Sequence, residues 1–115
     1  MLIVKKFGGS SVKDKEHIFN VAERCAEEYR KGNDVIVVLS AMGDTTDELI
    51  AKAKDINPNA SRREMDMLLT TGEQVSVSLM AMAIATFGVP TVSLNAFQVG
   101  MHSTSAYGNA RFKKV

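Results

Sequence analysis

Residues 34–49 read DVIVVLSAMGDTTDEL, and this stretch decides the fold. DVIVVL is apolar and β-branched without a break, the clearest strand in the chain. It stops at Ser40-Ala41-Met42-Gly43, and a helix opens at Asp44 or Thr45, with Glu48 three residues after Thr45 and Leu49, Ile50 and Ala53 as its inner face. Asn57-Pro58-Asn59 ends that helix. Strand, polar loop and helix in direct succession are the working unit of a parallel α/β sheet.

The flanking sequence repeats the unit. Upstream, residues 2–7 (LIVKKF) predict a short strand apolar enough to be covered on both faces, followed at once by Gly8-Gly9-Ser10-Ser11. Ile18, Val21, Ala22, Cys25, Ala26 and Tyr29 then recur at helical spacing and form one apolar stripe that ends near Gly32. Either Ser11, spaced from Asp14 as in a capping box, or Asp14 itself starts this helix. Downstream, Ser61 and Glu64 open a methionine-rich helical stretch over 65–87, interrupted chemically by Thr70-Thr71-Gly72-Glu73. Residues 90–94 predict a third strand leading into a loop rich in Gly, Ser and Asn, and residues 110–115 the start of a further strand that the chain does not finish.

Strand, helix, strand, helix, helix, strand predicts an α/β fold with a parallel sheet and right-handed crossovers. There is no internal repeat and no low-complexity tract. Ligands in such sheets bind beyond the carboxyl ends of the strands. That rule selects three places, residues 6–11, 40–46 and 95–100.

Composition narrows the function classes. The chain has 115 residues, 45% hydrophobic and 23% charged, which is ordinary for one globular domain with its own core. Residues 1–73 hold 11 Lys and Arg and 13 Asp and Glu, while residues 74–115 hold 3 basic residues and no acid. That is no nucleic-acid stripe, and aromatic platforms are scarce. The first residues place three apolar side chains before two lysines, the reverse of a signal peptide and too short to span a bilayer, so the expectation is a cytoplasmic protein without a membrane partner. Cys25, the lone cysteine, reads as a reduced, buried thiol. His17 and His102 have no metal-ligand spacing to it or to each other, so no metal site is expected.

At the first strand end, Gly8 and Gly9 permit close backbone approach to a ligand and unusual φ values, and the helix start that follows offers free N–H donors. Lys6 adds a mobile positive charge able to follow a transferring phosphoryl group. Neither the G-x-x-x-x-G-K-[ST] loop nor G-x-G-x-x-G occurs, and the second strand ends in Ser40 rather than a ribose-binding acid, which argues against dinucleotide chemistry. Ser40, Thr45 and Thr46 are either substrate ligands or a cap and turn residues. Asp47 either complements the helix dipole or faces a cation. Glu73, the last acid in the chain, lies among Leu68, Leu69, Val75 and Leu79, where a buried carboxylate needs compensation. A substrate ammonium, a protein lysine or a helix start made by a break at Gly72 would each supply it. Met65, Met67, Met80 and Met82 read as core or helix-interface residues.

Taken together, KFGGSSV at 6–12, VVLSAMGDTTDEL at 37–49 and EMDMLLTTGEQVS at 64–76 resemble the aspartate kinases, in that order and at that spacing. The resemblance runs on through QVG at 98–100 and GNAR at 108–111. Carbamate, acetylglutamate and uridylate kinases share the wider amino-acid kinase fold, but KFGGSSV and TTGEQ are similar to the aspartate enzymes. The resemblance implies a three-layer αβα sandwich with a mainly parallel sheet, of which residues 1–115 form the N-terminal half of the catalytic domain. The nucleotide-binding half and the ACT domains are then absent. It further implies ATP, with Mg2+ carried by the nucleotide, phosphorylating the side-chain carboxylate of L-aspartate to 4-phospho-L-aspartate for lysine, threonine and methionine synthesis, in a homo-oligomer. By the same resemblance Lys6 is the catalytic lysine, Gly8, Gly9 and Ser10 surround the transferring phosphoryl group, and Ser40, Thr46 and Glu73 hold aspartate. An isolated chain of this length is expected to be nearly inactive. The alternatives are a related amino-acid kinase, or a non-catalytic half-domain that binds a small molecule or phosphate.

Overall fold

The computed structural model describes residues 1–95, together with the backbone of 102–103 and 112–114. Strand β1 (Leu2–Phe7) is followed by a single 3-10 turn (Gly9–Val12), helix α1 (Lys15–Arg30), strand β2 (Asp34–Leu39), helix α2 (Thr45–Ile56) and helix α3 (Arg62–Ala85). β1 and β2 pair in parallel, from Leu2 opposite Asp34 to Phe7 opposite Leu39. The α/β class and the parallel sheet are those expected from sequence.

Burial alternates along both strands. Ile3, Lys5 and Phe7, with their partners Val35, Val37 and Leu39, are the more buried set, and α1 and α3 pack side by side against β2. Leu2, Val4 and Lys6 share the other face with Ile36 and Val38, where Val4 is 61% and Ile36 49% exposed. The two-sided burial expected of residues 2–7 is therefore not met among the described residues. Their helices cover one face, and the second helical layer of a sandwich is not formed by them.

Asp14 is the cap of α1: its carboxylate accepts from the backbone N–H of His17 at 2.9 Å. Ser11 lies inside the 3-10 turn, where its N–H donates to the Gly8 carbonyl at 3.1 Å, and so does not stand at the start of α1. Ile18, Val21, Ala22, Cys25 and Ala26 are buried as the period predicts, whereas Tyr29, at the helix end, is 42% exposed. Gly32 takes φ +93°, as the chain reverses after α1. Burial raises the Cys25 thiol pKa, which makes it an inert core group.

α3 begins at Arg62, with the Ser61 hydroxyl accepting from the Glu64 N–H, and runs without interruption to Ala85. The Thr70 and Thr71 hydroxyls donate back to the carbonyls of Met67 and Leu68 at 2.9 and 2.7 Å, so the polar tetrad is accommodated inside the helix. No break occurs at Gly72, and Glu73 is not at a helix start. By length and composition α3 is also long and apolar enough to cross a membrane, but Met80, Ala83 and Ile84 belong to the buried core of this fold.

Residues 90–94 form no strand. They lie across a cavity of about 280 Å³ from Val35, Val37 and Leu39 of β2 rather than in its ladder, with Val92 74% exposed. Strand propensity reflects packing against neighbours, and the described residues form no second layer to cover that segment. The strand expected near the chain end is β4 (Phe112–Lys114), antiparallel to β3 (His102–Ser103), which lies in the stretch whose Gly, Ser and Asn content predicts a loop.

Candidate functional site

β1 and β2 deliver their loops to one edge. Because Phe7 stands opposite Leu39, the chain leaves the sheet at Gly8 and Ser40 side by side, and the Ser40 N–H donates to the Phe7 carbonyl at 3.2 Å. Farther along both loops, the Gly43 N–H donates to the Gly9 carbonyl at 2.9 Å. The two loops are thereby one unit.

The glycines differ in their reasons. A Cβ on Gly9 would stand 2.8 Å from the Ala41 carbonyl oxygen, so the neighbouring backbone itself excludes a side chain there. At Gly8 a Cβ meets nothing within 4 Å, and its φ of −81° is ordinary. The unusual φ expected at this pair occurs instead at Gly43, φ +46°, where a Cβ would also crowd Lys13 at 3.3 Å. The donor-rich end expected to follow the glycines is the first turn of the 3-10 segment, whose leading N–H groups have no partner within the turn. The true start of α1 is already occupied by Asp14. His17 contacts Asp14 twice, through its backbone N–H and through Nδ1 at 2.6 Å, and holds that carboxyl below the usual carboxylate range.

Lys6 is exposed on the uncovered sheet face, beside its β2 partner Val38. Ser40 is half-buried, and Thr46 is exposed in the first turn of α2. α3 meets this edge at Gly72, which is buried against Ala41, Thr45 and Leu49. Glu73 follows, and it lies four, seven and eleven residues before Val77, Met80 and Ile84, the stripe that packs on the core. Gly72, the residue before it, packs on Ala41 and Thr45 beyond the carboxyl end of β2, and Glu73 itself is exposed. The burial penalty argued for its carboxylate from sequence is therefore absent. Asp47, also in the first turn of α2, is exposed at a position that complements the helix dipole.

The structure thus brings Lys6, Gly8, Gly9, Ser10 and Ser40 to one edge of the sheet, while Thr46 and Glu73 each follow a residue, Thr45 and Gly72, that meets the other across the α2–α3 contact. The third selected place falls largely on residues 96–100, which lie outside the described residues. A cleft of about 530 Å³ adjoins this edge between the 3-10 turn and the start of α2. From the selected places it takes in Ser10, Met42, Gly43, Asp44 and Thr45, and it adds Lys13, Asp14 and Glu48; Lys6, Gly8, Gly9, Ser40, Thr46 and Glu73 do not line it. Gly43, within SAMGD, was the sequence signal for that turn.

Comparison with known proteins bears on this edge. The amino acid kinase family model matches residues 1–113. An aspartokinase of Bacillus sp. (strain MGA3) is 54% identical over 114 residues, 99% of this chain and 28% of that protein. An aspartokinase of Mycolicibacterium smegmatis is 52% identical over the same share of this chain and 27% of its own length. A crystal structure of aspartate kinase from Synechocystis superposes with a TM-score of 0.80 at 51% identity, over 82% of this chain and 16% of that one. The chain therefore spans a little over a quarter of the length of the curated relatives it matches.

Proposed function

This chain belongs to the amino acid kinase family, and from that premise we propose that it is the N-terminal part of the catalytic domain of an aspartate kinase. The reaction is transfer of the γ-phosphoryl group of ATP, carried with Mg2+, to the side-chain carboxylate of L-aspartate. The observation that supports this reading best is the meeting of the 8–10 turn, Ser40 and the Glu73 segment of α3 at one sheet edge, in a chain about half identical to named aspartokinases along its whole length.

The acceptor carboxylate is already ionised at neutral pH and is itself the nucleophile. No general base is required, and catalysis reduces to positioning and charge stabilisation. Glu73 is exposed and acceptor-only, suited to receive the α-ammonium of aspartate, with the Ser40 and Thr46 hydroxyls completing its grip. Gly8, free of steric neighbours, leaves room for a phosphoryl oxygen to reach the backbone N–H groups of the 3-10 turn. The Lys6 ammonium, on a flexible stem, follows the charge as it moves from donor to acceptor.

The protein is then a cytoplasmic enzyme of lysine, threonine and methionine synthesis, acting as a homo-oligomer, with small-molecule rather than nucleic-acid partners. The remainder of the catalytic domain supplies most of the nucleotide site. The test is an amide NMR titration of the chain with L-aspartate and then Mg-ATP. Shifts confined to Gly8, Gly9, Ser40 and Glu73 are expected, and a well-dispersed spectrum indifferent to aspartate contradicts the assignment of the substrate residues.

A further inference from the structure

Gly72 occupies the middle of a 24-residue helix, where glycine is the least favourable residue after proline. Its φ is not positive, so backbone conformation does not demand it. Space does: a Cβ there would stand 3.0 Å from the Ala41 Cβ, 3.2 Å from the Thr45 Cγ2 and 3.6 Å from the Leu49 Cδ1. The first two separations are tighter than ordinary carbon contacts. Both partners sit on restrained backbone, since the Gly43 N–H is tied to Gly9 and the Thr45 N–H donates to the Met42 carbonyl at 2.9 Å. An added methyl is therefore relieved by moving α3 outward.

The two tight contacts, and Gly72 itself, each adjoin a residue of the site. Ala41 follows Ser40, Thr45 precedes Thr46, and Gly72 precedes Glu73. We propose that Gly72 is a positioning residue: the side chain it lacks sets the distance between α3 and residues 40–46, and so sets where the Glu73 carboxylate stands relative to Ser40 and Thr46. The inference rests on the reading above, in which those three residues hold aspartate. Glycine is used here for close helix approach rather than for a turn.

The test uses amide NMR of the 115-residue chain, with L-aspartate as titrant. Gly72→Ala is expected to displace the Ser40 and Thr46 amide signals and to weaken aspartate binding by about tenfold or more, since small misplacements at a charged contact are costly. Adding Ala41→Gly and Thr45→Ser removes the two crowded carbons and is expected to restore both readouts. In a Glu73→Gln background, Gly72→Ala is expected to change binding little further, which a merely structural role would not produce. Unchanged binding and unchanged loop signals in Gly72→Ala overturn the proposal, as does an equal loss in the Glu73→Gln background. If the unsubstituted chain ignores aspartate, the functional reading fails, and the unliganded signals decide alone: displacement with restoration upholds the spacer, an undisturbed loop overturns it. If Gly72→Ala does not fold, recovery of the fold by the two compensating substitutions supports the proposal, and failure to recover contradicts it.

Discussion

The backbone N–H of Gly43 donates to the carbonyl of Gly9 across 2.9 Å, joining the loop after β2 to the turn after β1. The same junction brings Gly9 so near the Ala41 carbonyl that no side chain fits between them. The edge of the sheet is held by main chain, and the functional side chains are mounted on that frame.

Gly8 and Gly9 should therefore separate by substitution. Gly9→Ala forces a methyl against a carbonyl oxygen and should lower stability by about 1–3 kcal/mol, the usual range for overpacking. Gly8→Ala meets open space at an ordinary φ and should leave stability unchanged or raise it by up to about 1 kcal/mol. Thermal denaturation of the two variants checks the contrast. In the complete enzyme, Gly8→Ala should nonetheless slow phosphoryl transfer, because its methyl occupies the approach to the turn.

Asp14 links the start of α1 to pH. His17 holds its folded-state pKa below the ordinary carboxylate value, so the carboxylate is stabilising above that ordinary value, and the contribution is lost as pH falls through the lowered one. Asp14→Asn keeps a capping oxygen without a titrating group. The melting temperature of the unsubstituted chain should exceed that of Asp14→Asn at neutral pH, with the gap closing as acid protonates Asp14. A gap independent of pH contradicts the assignment.

Lys6 and Glu73 should fail in different ways. In a complete enzyme, Lys6→Ala should lower kcat by about 10²–10³-fold, as for loss of a preorganised charge stabiliser. A change below about threefold rules out that role. Glu73→Gln should instead raise KM for aspartate by about 10–150-fold, the loss of a charged hydrogen bond. Steady-state kinetics with aspartate varied separates the two.

Much of this was legible in the sequence, for physical reasons that also mark its limits. β1, α1, β2 and α2 were readable because apolar period and capping chemistry are local; the side-chain cap is made at Asp14 of α1, whereas Asp44 before α2 makes no such bond. Residues 90–94 carry strand composition but no ladder, since a strand needs neighbours that composition does not supply. The apolar neighbours of Glu73 suggested burial, yet Val75 and Leu79 are themselves 52% and 39% exposed, so α3 carries apolar residues outside its packed stripe. The close approach at Gly72 depends on where α2 lies, and no feature of its own helix reveals it.

The central claim is that these residues form the aspartate-binding half of a kinase domain. Its most direct measurement replaces the matching 114-residue segment of the Bacillus sp. aspartokinase with the corresponding 114 residues of this chain and assays aspartate-dependent formation of the acyl phosphate. The account predicts activity within about tenfold of the parent enzyme for the joined protein, and essentially none for the 115-residue chain alone. A folded chimera that binds Mg-ATP yet forms no phospho-aspartate would contradict it.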